Sequence, residues 1–214
     1  GITFHLREDR RHINDRDAEL LRQTVATKLN MEMSVAPEVV KIALRLRPTQ
    51  CTLVPERREE LTTEGGLDVV RHRARIKPVV RKLAAAGIVT SAFVEPTEEQ
   101  VRASADCGFD AIELWTGGYA HAGGEKRRAA ALDRLIRAWR LGRDSGLEVH
   151  AGHGLTYRNI EPIAALALFS EFNIGHSIVA RALFVGLREA VREMKRLLDR
   201  APQHAARAGG STAT

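Results

Sequence analysis

The run Ala86-Gly87-Ile88-Val89-Thr90-Ser91-Ala92-Phe93-Val94, the amphipathic stretch 97–107 and the run Gly108-Phe109-Asp110-Ala111-Ile112-Glu113-Leu114-Trp115 together decide the fold class. Residues 89–94 and 111–115 are apolar runs of strand length, and the segment between them has the longer mixed pattern of a helix. Gly87 and Gly108 sit where a helix must stop, because glycine accepts the left-handed turn that ends one, and an apolar run follows each at once. Strand, crossover helix and strand make a βαβ unit, whose two strands lie parallel.

The same pattern extends in both directions. Strands are expected at 2–6, 29–35, 51–54, 89–94, 111–115, 148–151 and 172–178. Helical patterns lie at 17–26, opening on Asn14-Asp15-Arg16-Asp17, and from Ala36-Pro37-Glu38, where proline suits a first turn. Others cover 69–86, 97–107, 124–145, 159–168 and 180–200, and Ser145-Gly146-Leu147 repeats the glycine stop. Parallel sheets of this many units are doubly wound sheets or eight-stranded barrels. Seven strands, the first at the very start of the chain, predict an α/β fold of the (β/α)8 TIM-barrel class whose first βα unit would precede Gly1. One domain is expected over 1–200, with the small, polar 201–214 as a flexible C-terminal tail.

Composition narrows the function classes. The 214 residues are 44% hydrophobic and 28% charged, the balance of a globular chain and not of a disordered one. No apolar run is long enough to cross a membrane and no basic, apolar leader opens the sequence, so a cytoplasmic protein without a membrane partner is expected. Cys51 and Cys107 stand apart with no Cys-x-x-Cys pair and read as buried thiols. The net charge of +6 favours anionic partners, from nucleic acid to phosphorylated metabolites. Aromatics at 5% leave few platforms for base stacking, which counts against single-strand nucleic acid.

In a βα barrel the carboxyl ends of the strands and the loops after them share one mouth, so polar residues there are the candidates. His5-Leu6-Arg7-Glu8-Asp9-Arg10-Arg11-His12 follows the first strand, and the period of two points His5 and Arg7 the same way. Glu32 stands between Met31 and Met33, and Glu113 between Ile112 and Leu114. A carboxyl group in apolar surroundings is either ion-paired or raised in pKa toward a useful base. His150-Ala151-Gly152-His153-Gly154 ends the sixth strand and offers an imidazole that exchanges protons near neutral pH. Asn173-Ile174-Gly175-His176 ends the seventh, and Gly154 and Gly175-His176 then fall in the two loops that often hold phosphate in barrels. Thr62-Thr63-Glu64-Gly65-Gly66-Leu67-Asp68 reads equally as a turn or as a ligand loop. No His-Glu-x-x-His, Walker loop, nucleophile elbow or dinucleotide fingerprint is present, so neither a metal nor a nucleotide cofactor is expected.

These segments, with Asn30-Met31-Glu32-Met33, Leu53-Val54-Pro55-Glu56 and Ala151-Gly152-His153-Gly154-Leu155-Thr156-Tyr157, resemble the pyridoxine 5'-phosphate synthase family in the family's order and over nearly the whole chain up to Arg200. The resemblance implies a (β/α)8 barrel that assembles as a homo-octamer and uses no cofactor or metal. It implies condensation of 1-deoxy-D-xylulose 5-phosphate with 3-amino-2-oxopropyl phosphate, closing the pyridine ring with loss of phosphate and water. It also implies His5 as an acid/base, Glu32 as a base, His153 as a proton donor in later steps and Glu113 as a glutamate near the reacting centre. Arg7, His12 and Thr62 match positions that hold deoxyxylulose phosphate, while Gly154, Gly175 and His176 match the aminoketone phosphate site. Two departures stand out. The family's Asn-x-Asp-His first strand has no counterpart here, and Trp115 stands where the family commonly has histidine. The runner-up is another phosphate-binding barrel enzyme, an isomerase or aldolase, although no strand end carries a Schiff-base lysine and Lys28 precedes its strand. An inactive truncated barrel or a basic nucleic-acid module completes the alternatives.

Overall fold

Seven parallel strands follow one another in chain order through the sheet, β1 (Ile2–His5), β2 (Leu29–Met33), β3 (Gln50–Leu53), β4 (Val89–Val94), β5 (Ala111–Trp115), β6 (Glu148–Gly152) and β7 (Phe172–Asn173). The computed structural model describes residues 1–55 and 65–210, and of 202–210 only the helical backbone. Crossover helices α1 (Asp15–Thr24), α2 (Pro37–Leu46), α3 (Val69–Ala85), α4 (Glu98–Cys107), α5 (Gly117–Ala120), α6 (Glu125–Asp144) and α7 (Ile160–Ala164) join the strands, and α8 (His176–Val185) and α9 (Leu187–Gly210) follow β7. Parallel strands in sequential order with helical crossovers place the chain in the α/β barrel class. The chain divides into two compact units, Gly1–Trp115 with Arg140–Val149, and Thr116–Trp139 with His150–Thr214.

All seven expected strands form, and the glycine stops act as read: Gly87, Gly108 and Gly146 adopt φ of 75°, 84° and 81°. The Asn14 side chain accepts from Asp17 N at 3.0 Å while the Asp17 carboxylate accepts from Asn14 N at 3.0 Å, a reciprocal box that starts α1. Pro37 opens α2, which buries Val39, Val40, Ile42, Ala43 and Leu46. Burying each of the larger side chains stabilises the fold by about 1.5–3 kcal/mol.

Four elements differ from expectation, the first being α7, which stops at Ala164 where a helix was expected to reach 168. β7 stops at Asn173, because the backbone turns at Gly175 into α8, so 174–178 are not strand. The single helix expected over 180–200 is two, broken at Gly186, whose φ of 79° no helix continues through. The second of these runs on to Gly210, into the stretch read as a tail. The one-turn helix α5 was not foreseen, since Gly117-Gly118 reads as a loop.

In the first unit the sheet has two chemically distinct faces. Gly142 of α6 shows which is which, because a Cβ there would lie 2.8 Å from Val149 Cγ2 and 3.2 Å from Ile112 Cδ1, so Ile112 faces the helices. Ladder partners share a face, and the pairs Ala92↔Ile112, Leu53↔Ala92 and Met33↔Leu53 carry that apolar face across the sheet. The opposite face is polar. It holds the ladder Thr3↔Asn30↔Gln50 and, one step along, His5↔Glu32↔Thr52↔Ser91. Asn30, Gln50 and Thr52 are tied together on this face: Asn30 Nδ2 donates to Thr3 Oγ1 at 3.3 Å, Thr52 Oγ1 to Asn30 Oδ1 at 2.9 Å and Gln50 Nε2 to Thr52 Oγ1 at 3.1 Å.

Candidate active site

In the first unit the register brings two predicted residues side by side. His5 is the last residue of β1 and pairs with Glu32 near the end of β2, with Nδ1 and Oε2 3.9 Å apart and side chains 18% and 15% exposed. Burial pushes the Glu32 carboxyl above its ordinary value, and the neighbouring imidazole partly offsets this. Met31 and Met33 are not the cause, for they lie on the helix-facing side while Glu32 lies on the polar one. Glu113 shares the polar face through Phe93↔Glu113 and is also buried.

The loop after β1 is held by its own charges. Arg7 is 5% exposed and spans Asp9 with Nε–Oδ1 at 3.2 Å and Nη2–Oδ2 at 3.3 Å, while Arg11 Nε donates to Asp9 Oδ2 at 2.8 Å. Those two guanidinium groups hold the Asp9 carboxyl well below the usual carboxylate range. Arg10 takes a left-handed φ of 54° and donates to the Arg7 and Glu8 carbonyls, both at 2.9 Å. Ser34 Oγ, just past β2, donates to Glu8 Oε1 at 2.6 Å. His12 is exposed in the same loop. Thr62 lies outside the described residues, but the end of its glycine segment is placed. A Cβ on Gly66 would sit 2.3 Å from Glu95 N and 2.5 Å from Val94 C, so the chain lies against the end of β4 where only glycine fits.

In the second unit the turn after β6 carries His153 and Gly154, both at φ 73°. A Cβ on Gly154 would meet Ala120 Cβ at 2.6 Å, so α5 packs on this turn and glycine is required twice over. Thr116 N donates to Gly152 O at 2.8 Å, and its hydroxyl reaches Gly152 O at 2.7 Å and also His153 O. From the other side Asn159 Nδ2 donates to Gly154 O at 3.0 Å and Asn159 Oδ1 accepts from Thr156 N at 2.7 Å. Tyr119 Oη donates to Asn159 O at 2.7 Å. Gly175 precedes α8 with φ −107°, and a Cβ there would meet nothing within 4 Å, so neither backbone nor packing demands its glycine. His176 follows, exposed, as the first residue of a helix whose leading amides have no side-chain cap.

Sequence reading found His5, Glu32 and Glu113 as polar breaks in apolar runs, and His153 as an imidazole between two glycines at a strand end. It passed over Thr116 and Asn159, whose work is hydrogen bonding to distant backbone. Both cysteines are buried, and burial pushes the Cys51 thiol up to about 12, which makes it inert. Among the described residues no three His, Cys, Asp or Glu side chains cluster as a metal site.

The family model for pyridoxal phosphate biosynthesis protein PdxJ matches residues 1–200. The chain belongs to the PdxJ family. Relatives include a pyridoxine 5'-phosphate synthase of Trichlorobacter lovleyi, 60% identical over 200 residues that make up 94% of this chain and 84% of the relative. Another of that name, from Syntrophotalea carbinolica, is 56% identical over 198 residues, 92% of this chain and 83% of the relative. Solved structures share the fold of this PdxJ family member at much lower identity. A mandelate oxidase superposes with a TM-score of 0.60 at 14% identity over 96% of this chain and 64% of its own. A phosphoribosyl anthranilate isomerase from Thermus thermophilus does so with 0.53 at 15% identity, over 82% of this chain and 76% of its own.

Proposed function

We propose that this PdxJ family member is a pyridoxine 5'-phosphate synthase, condensing 1-deoxy-D-xylulose 5-phosphate with 3-amino-2-oxopropyl phosphate and releasing phosphate and water. The observation that carries the reading is the His5–Glu32 pair, an imidazole and a carboxyl of raised pKa on adjacent strand ends, 3.9 Å apart. Joining an amine to a ketone, eliminating water and phosphate, and closing a ring by carbon–carbon condensation each need protons removed and returned. A carboxyl that ionises nearer neutral pH is a stronger base than an ordinary glutamate, and an adjacent imidazole can hold the proton it takes. In this reading Glu32 is the base and His5 the acid/base, Glu113 acts near the reacting centre, and His153 returns a proton in later steps.

Each substrate brings a phosphate. Arg7 and His12, with Thr62, take that of deoxyxylulose phosphate, where a guanidinium offers paired charge-assisted donors. Gly154, Gly175 and His176 take that of the aminoketone, and the uncapped amides at the start of α8 suit an anion. The open space at Gly175 supports that assignment. No metal or cofactor enters these steps. The reading extends to a cytoplasmic location and a homo-octamer, and Val179, Leu183, Phe184 and Leu187, exposed on α8 and the start of α9, are apolar surface of the kind that contact between copies covers. The test is formation of pyridoxine 5'-phosphate from the two substrates, by this chain and by a version extended to the length of its relatives. Product from either supports the reading, and product from neither overturns it.

A further inference from the structure

The His153–Gly154 turn is an unfavourable conformation held from two sides. His153 carries a Cβ yet sits at φ 73°, a region that side-chain-bearing residues seldom occupy without support from their surroundings. Its carbonyl is reached by the Thr116 hydroxyl, and the next carbonyl, that of Gly154, is held at 3.0 Å by Asn159 Nδ2. Thr116 also grips Gly152 O through both its amide, at 2.8 Å, and its hydroxyl, at 2.7 Å. Three consecutive carbonyls are thus fixed by two side chains, one before the turn and one after it. Neither side chain is spare. Thr116 is fully buried, and Asn159 is itself anchored, its side-chain Oδ1 by Thr156 N at 2.7 Å and its backbone carbonyl by the Tyr119 hydroxyl at 2.7 Å.

A turn in this conformation aims the His153 side chain differently from one that has relaxed to ordinary backbone angles, because rotating φ swings Cβ with it. We infer that Thr116 and Asn159 are positioning residues for His153, fixing the direction of its imidazole by tethering the carbonyls of the turn. The inference rests on the reading of His153 as a proton donor. Neither residue touches the reacting atoms in this account. A proton donor displaced by about 1 Å loses up to about a hundredfold in rate while substrate binding elsewhere is untouched, so the effect falls on kcat and not on KM.

The variants separate the hydroxyl from the packing. Thr116→Val keeps the shape and removes the donor, Thr116→Ser keeps the donor, and Asn159→Asp keeps the acceptor for Thr156 N while losing the donor to Gly154 O. With the full chain and both phosphorylated substrates, Thr116→Val and Asn159→Asp are expected to lower kcat by about tenfold to a hundredfold with KM within about twofold. Thr116→Ser stays within about threefold, and adding Thr116→Val to His153→Asn costs nothing further, because a displaced imidazole and an absent one are equally idle. Near-normal kcat in either donor-removing variant, or losses that multiply in the double variant, overturns the inference. Should Thr116→Val fail to fold, Asn159→Asp decides alone. If the unaltered chain forms no product, the reaction reading is at fault, and the positioning claim is judged by the imidazole proton resonances of the eight histidines. A shift confined to His153 in Thr116→Val supports it, and an unmoved His153 resonance overturns it.

Discussion

Burial and the neighbouring His5 pull the Glu32 carboxyl in opposite directions, and burial is the larger effect. A carboxyl raised in the folded state favours the proton, so its contribution to stability is complete below the ordinary carboxylate range and is lost as pH rises through the folded value. Glu32→Gln removes that loss. The variant is expected to unfold a few degrees higher than the parent at neutral pH, with the gap closing toward pH 4, in melts taken across that range. Its turnover is expected to fall by about a hundredfold or more, and near-normal rates would remove Glu32 from the chemistry. Glu32 and His5 were legible in the sequence because a charged residue in a strand run has few structural reasons to be there. The reason for the shift was not legible. Flanking methionines suggested an apolar pocket, whereas alternation along β2 sends them to the other side of the sheet. Thr116 and Asn159 left no trace at all, since a threonine bonding backbone 36 and 37 residues away has no periodicity to reveal it.

Elements depend on single residues at their ends. Asn14→Ala removes the side-chain half of the box that opens α1, leaving its backbone N–H to Asp17, and is expected to cost about 1 kcal/mol in urea unfolding. Gly66 is more demanding, because the atoms its Cβ would strike are backbone and cannot swing aside. Gly66→Ala is expected to cost about 1–3 kcal/mol in the same measurement, and a cost near zero would mean that the segment beside β4 can shift freely. Helix stops and apolar runs made the elements readable, and the strands were found for that reason. The short β7 and the break at Gly186 were not, because isoleucine, valine and alanine over 174–185 fit a strand or a helix equally well and only tertiary packing separates the two.

At the scale of the whole molecule, α8 is anomalous. It has no buried residue, and Leu183 and Phe184 are 82% and 84% exposed although the helix is largely apolar. One polar tie runs to α9, where Arg181 spans Glu193 at 2.8 and 2.9 Å, an exposed pair of the kind that contributes little by itself, and another is Ser177 Oγ donating to Leu155 O at 2.9 Å. If copies of the chain meet on this face, as the proposed assembly requires, Phe184→Glu is expected to lower the mass of any assembly on size exclusion with light scattering, while an unchanged mass would place the contact elsewhere. Fold class and family were legible from sequence because they reside in order and spacing; a surface left uncovered is not, since exposure belongs to the folded state.

The two-faced sheet has a consequence for how the chain reaches its structure. Sliding β2 by one residue against its neighbours would turn Asn30 and Glu32 into the helices and Met31 and Met33 into the polar layer, stranding every group at once. A misaligned intermediate therefore cannot be nearly right, and the residues that would handle protons in the finished enzyme also proofread its assembly.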